Sequence, residues 1–179
     1  MSDTELHKNI TFDEVAPAAT IRPVRRLITG VDAEGQSFIA ADSASPHVKA
    51  VANTPTFAVT ELWRATSIPV NNSGPIDDGL GVVELSPPRQ GVVFRYVEFP
   101  PDTDWLANPD APDSQVHTTA SIDFAIVISG EIYAVMDKDE SLMHAGDVLI
   151  QRGTRHSWAN RSDHPAVMAF ALVSGNAAH

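Results

Sequence analysis

The chain predicts an almost all-β protein arranged as a sandwich or barrel. Three observations carry that expectation. No segment holds a 3.6-residue apolar stripe for three turns, short β-branched and aromatic runs recur between clusters of Gly, Pro, Asn and Asp, and at least four such runs fall within about sixty residues of the second half. A length of 179 residues suits one domain and is enough chain to bury a core.

Residues 1–20 are polar and weakly patterned and are expected to form an N-terminal arm, with a single domain over 21–179. Runs 25–29 and 36–41 flank a stretch containing Gly30, Asp32 and Gly35, which suits a hairpin. Residues 57–64 form the next expected strand, and 71–81 a loop. Residues 91–99 form a β-branched and aromatic run stopped by Pro100 and Pro101, and 102–114, rich in Asp and Pro, reads as loop. Runs 123–129 and 131–136 meet at Gly130, a turn follows at 137–140, and 148–151 and 167–173 supply two further strands. Within 123–129, Asp123, Ala125 and Val127 share one face while Phe124, Ile126 and Ile128 share the other, so both faces call for cover.

Composition narrows the partners. Lys plus Arg number 12 against 23 Asp plus Glu, a formal charge of -11, and the basic residues form no stripe, so neither nucleic acid nor an anionic membrane surface is an expected partner. The absence of cysteine removes disulfides, thiolate ligands and a cysteine nucleophile together. The segment Met1 to Glu5 shows no basic start before an apolar stretch, and no window approaches the roughly 18 apolar residues of a membrane span, so cytoplasm is the expected location. Glycine-rich phosphate loops, the G-x-G-x-x-G dinucleotide fingerprint and the G-x-S-x-G elbow are all missing.

The informative stretch is 116–160. His117, Asp123 and His156 offer two imidazoles and one carboxylate, the donors that Fe, Mn, Ni or Zn accept, and three protein ligands leave positions open for water, dioxygen or a substrate oxygen. The expected cofactor is therefore one divalent metal ion. Gly130, Gly146, Asp147, Gly153 and Asn160 read as turn chemistry. His7, His47, His144, His164 and His179 read as ordinary surface or hydrogen-bonded residues. Along 92–99, Phe94, Tyr96 and Glu98 share one face and Val93, Arg95 and Val97 the other, and alternation does not say which looks inward, so Arg95 and Tyr96 are both pocket candidates. Gln151 and Trp158 flank the second segment and are further candidates for the pocket wall, Trp158 doubling as core.

Residues 116–173 resemble the cupin superfamily. Its first motif, a glycine, five residues, His-x-His, three or four residues, Glu, six residues and Gly, is matched by His117-Thr118-Thr119, Asp123 and Gly130. Its second, Gly, five residues, Pro-x-Gly, two residues, His, three residues and Asn, is matched by Gly146, Gly153, His156 and Asn160. Thr119 stands at the second histidine, Asp123 at the glutamate, and the Pro-x-Gly turn is shortened by one residue to Arg152-Gly153. The resemblance implies a double-stranded β-helix, or jelly-roll, barrel with a metal among inward side chains and a homodimeric assembly. Thr119, a poor ligand, is expected to hydrogen-bond a metal-bound water or a substrate. The implied function is a metal-binding small-molecule enzyme of dioxygenase, decarboxylase or isomerase and lyase type. The alternatives are a non-catalytic cupin that binds a metabolite or serves as an assembly module, and a metal-free isomerase similar to those of sugar nucleotides.

Overall fold

A computed structural model describes residues 10–12, 15–73, 83–107 and 115–176. Eleven strands are ordered as β1 (Arg25–Val31), β2 (Ser37–Ala44), β3 (Val48–Val51), β4 (Thr54–Ala65), β5 (Val92–Phe99), β6 (Ser121–Ser129), β7 (Glu131–Met136), β8 (Glu140–His144), β9 (Val148–Gln151), β10 (His156–Ala159) and β11 (Ala166–Ser174). Among the described residues a short helix, α1 (Asp102–Leu106), lies between β5 and β6. It falls where the sequence reads as loop: Pro101 precedes it and Asp102 and Asp104 favour its first turn, but five residues are too few to show a periodic stripe. The remainder of both expected loops, at 74–81 and 108–114, lies outside the described residues.

Hydrogen bonding divides the strands into a six-stranded sheet of order β3-β4-β5-β11-β6-β9, a three-stranded sheet β10-β7-β8, and the hairpin β1-β2. Burial shows which face of each strand looks inward. On β6, Asp123, Ala125 and Val127 are 5%, 0% and 1% exposed, whereas Phe124, Ile126 and Ile128 are 43%, 40% and 37% exposed. The expected inner face is therefore covered, and the expected outer cover is not supplied from within the described chain.

β11 runs between β5 and β6 and fixes their registers, with Phe170 opposite both Arg95 and Ala125 and Leu172 opposite both Val93 and Asp123. Aromatic contacts then join the two larger sheets. Phe99 and Phe170 from one meet Trp158 from the other at 6.2 and 5.5 Å between ring centroids, and Phe57 packs on Phe99 at 5.2 Å. Tilted and edge-to-face pairs of this kind bury large areas and lock the two layers together. Among the described residues the layers form a cupin-like sandwich, without continuous hydrogen-bonded closure into a barrel. Between the named sheets one isolated bridge, His117 with His156, ties the segment before β6 to β10.

The hairpin forms as the sequence predicts. Asp32 Oδ1 accepts the backbone N–H groups of Glu34 and Gln36 at 3.1 and 2.7 Å. The N-terminal stretch contributes more than an arm's contact: Ile10 and Phe12, half-buried, pack against the core, and the Ala52 N–H donates to the Thr11 carbonyl at 2.9 Å. Residues 1–9, 13 and 14 lie outside the described residues.

Candidate functional site

The site begins with a backbone exchange. His117 N–H donates to the His156 carbonyl and His156 N–H to the His117 carbonyl, each at 2.9 Å, so the two residues are a directly opposed antiparallel pair whose side chains leave on the same side. Their ring centroids stand 4.3 Å apart with planes tilted by 55°. Each ring is anchored at Nδ1, His117 to the Gln115 carbonyl at 2.8 Å and His156 to the Thr154 carbonyl at 2.9 Å. A carbonyl only accepts, so Nδ1 carries the proton, and in the neutral ring Nε2 is then the nitrogen with the lone pair. Burial lowers the His156 pKa below the ordinary imidazole range, against the raising effect of the Thr154 carbonyl, which keeps this ring neutral.

Asp123 arrives from β6. Gln115, His117, Thr119, Ser121 and Asp123 recur at every second position and all five are buried, so an extended backbone lines one interior wall with polar side chains. Asp123 Oδ1 accepts the Ser121 hydroxyl at 2.6 Å, and that hydroxyl lies 2.8 Å from Thr119 Oγ1, so with a single proton each hydroxyl hands its hydrogen toward the carboxylate. Burial pushes the Asp123 carboxyl above the usual carboxylate range; Ser121, the Arg95 charge and Thr119 pull it down by less.

Arg95 settles which face of β5 looks inward. It is 4% exposed and lines the cavity, whereas Tyr96 is on the opposite face, packed edge-on against Phe94 at 6.4 Å and lining a groove beneath the β1-β2 hairpin. Tyr96 is thus not brought to the site. Arg95 Nη2 donates to Glu61 Oε1 at 2.6 Å, its cross-strand partner on β4, and to the Glu84 carbonyl at 2.8 Å. Burial pushes Glu61 upward and Arg95 downward, each opposed by the charge of the other, and the guanidinium remains cationic as it does throughout proteins.

His117, Thr119, Asp123, His156, Arg95 and Gln115 are the polar groups around one cavity of about 80 Å³, closed elsewhere by apolar and aromatic side chains that include Phe57, Phe99, Phe170 and Trp158. Trp158 therefore does serve both wall and core. Gln151 is buried, lies opposite Asp123 in the β6-β9 register and accepts the Thr154 hydroxyl, but does not itself line the cavity. Sequence reasoning missed Gln115, although its place two residues before His117 on an extended stretch was the available signal. It also missed Ile10 and Phe12, which close part of the cavity. His144 and His164 are exposed and His47 half-buried, while His7 and His179 lie outside the described residues.

Donor chemistry fits a divalent ion at the imidazole pair, since both rings are oriented by a backbone carbonyl in the manner of ligating histidines. Among the described residues no group of three His, Asp or Glu side chains is placed to hold a metal ion, while His117, Asp123 and His156 line one cavity.

The cupin domain family model matches residues 104–173. Over 164 residues the chain is 31% identical to the cupin-domain-containing oxidoreductase virC of Hypocrea virens, spanning 88% of this chain and 79% of that protein. The chain belongs to the cupin superfamily. This cupin is also 28% identical over 165 residues to the cupin-domain-containing oxidoreductase srdD of Neurospora crassa, covering 89% of this chain and 78% of that one. A cupin 2 conserved barrel domain protein from Salinispora arenicola superposes with a TM-score of 0.37 at 21% identity, over 46% of this chain and 63% of its own.

Proposed function

We propose that this cupin is a small-molecule enzyme of oxidoreductase type, with one divalent ion (Fe, Mn, Ni or Zn) held by Nε2 of His117 and His156. The observation that supports it is the backbone exchange between those residues together with the two carbonyl-anchored Nδ1 atoms. Such an ion, when bound, polarises a substrate oxygen or, as iron, supports dioxygen chemistry. The remaining work falls to the chain. The aromatic wall excludes water and receives an apolar metabolite, and Asp123, its carboxyl pushed upward by burial, exchanges a proton with the substrate, relayed by Ser121 and Thr119. The activity named for virC and srdD favours oxidation over the decarboxylase, isomerase and lyase alternatives.

The assembly proposed is a homodimer, supported by the uncovered outer face of β6. A cytoplasmic location belongs to the same reading, a reducing compartment suiting a chain with no disulfide to form. Among the described residues no helix is long and apolar enough to cross a membrane. Metal analysis of protein purified without chelator tests the reading: about one equivalent per chain, lost in a His156→Ala variant that still folds, is the expected result. Under about a tenth of an equivalent, with no uptake on reconstitution, would favour the second reading, a non-catalytic metabolite-binding or assembly cupin. Thr119 at the second histidine position is the observation on its side.

A further inference from the structure

The cavity wall holds donors that the fold leaves unused. Arg95 binds Glu61 and Glu84 through Nη2, and its buried Nε meets no acceptor. Gln115, 8% exposed, gives its backbone carbonyl to His117, and its buried side-chain Nε2 also meets no acceptor. Folded proteins retain few such groups, and two on residues that line the same cavity mark a place where an oxygen belongs. Of the Glu61–Arg95 pair it is Arg95 that lines the cavity. The other titratable groups on the described wall are Asp123, His117 and His156, and the guanidinium is its one fixed cation.

Resting on the small-molecule reading of the same site, we infer that Arg95 and Gln115 bind an anionic oxygen of the substrate, and that the substrate is a small carboxylate with an apolar or aromatic body. Charge selects the carboxylate, because an N–H donor from a cation is stronger toward an anion than toward a neutral carbonyl. Phe57, Phe99, Phe170 and Trp158 select the body.

Isothermal titration of the chelator-treated full chain tests this with isobutyrate and benzoate against their uncharged counterparts, isobutyramide and benzamide. At least one acid should bind, with its amide about tenfold weaker or more. Gln115→Leu, which leaves the Glu61 pair untouched, and Arg95→Lys, which keeps a cation beside Glu61 but lacks Nε, should each lose about tenfold in acid binding while melting cooperatively. Absence of binding by both acids, an amide that binds as well as its acid, or wild-type binding in both variants overturns the inference. Metal content measured in the untreated protein separates the two ideas. Acid binding by a chain that takes up no metal keeps this inference and removes the metal reading, while metal uptake without acid discrimination does the reverse.

Discussion

His156 is held as a neutral ring by its surroundings, and that has a cost in acid. Its folded pKa lies below the ordinary 6.5, so the unfolded chain binds the proton more readily, and stability is fully present above about pH 6.5 and lost as pH falls toward the folded value. In chelator-treated protein the melting temperature should therefore drop between about pH 7.5 and 5.5, and His156→Gln should flatten part of that drop; an identical slope in the variant would contradict the assignment. Asn160 is a structural counterpart. Its Nδ2 donates to the Phe99 and His164 carbonyls at 3.0 and 2.8 Å, its Oδ1 accepts from Ser162, and its backbone N–H donates to Asp102 Oδ1 at 2.9 Å. Asn160→Ala should cost about 1–3 kcal/mol in denaturant unfolding, since it strands the buried Phe99 carbonyl. At this scale, the spacing of His117, Asp123 and His156 was enough to find one cavity, because motif spacing reflects strand geometry. That Ser121 would donate to the Asp123 carboxylate was not legible, because it depends on side-chain hydrogen bonds. Nor was the choice of Arg95 over Tyr96, because alternation gives a period and leaves its phase to tertiary packing.

Among the elements, the β6-β7 turn depends on Gly130. Its φ is +76°, and an added Cβ would stand 2.7 Å from the Pro165 carbonyl oxygen and 2.9 Å from Ala166 Cα, both backbone atoms with little room to give. Gly146 has a φ of +96° but nothing within 4 Å of a Cβ. Gly130→Ala should accordingly destabilise by about 2–4 kcal/mol and Gly146→Ala by only about 1 kcal/mol, read from chemical denaturation; equal losses would refute the steric part of the account. Long alternating strands such as β4, β5, β6 and β11 were visible in the sequence. β3, β8 and β10, four or five residues each, were not, since so few residues show too little of a period to separate strand from turn.

Over the molecule's surface, several large apolar side chains stand exposed together. Phe124, Ile126 and Ile128 continue onto Val148 and Ile150 of the adjoining β9, 59% and 48% exposed, as one apolar face on the outside of the six-stranded sheet. A contiguous patch of this kind on a folded surface marks an interface. Sedimentation at micromolar concentration should give the mass of two chains, and Ile126→Glu should weaken the dimer by about tenfold or more; a wild-type monomer would leave the patch without its proposed cover. The sequence announced that both faces of β6 need cover, but a face filled by another copy leaves no trace in a single chain's pattern beyond its hydrophobicity.

The Gln115 and Thr154 carbonyls hold the Nδ1 atoms of His117 and His156, so in each neutral ring Nε2 carries the lone pair. Ring-nitrogen NMR of the ¹⁵N-histidine-labelled, chelator-treated protein at neutral pH measures this directly, with His117→Gln and His156→Gln variants assigning the signals. Both rings should show a protonated Nδ1 and an unprotonated Nε2. An Nε2–H tautomer on either ring, or two rings freely exchanging between tautomers, would contradict the geometry on which the proposed chemistry stands.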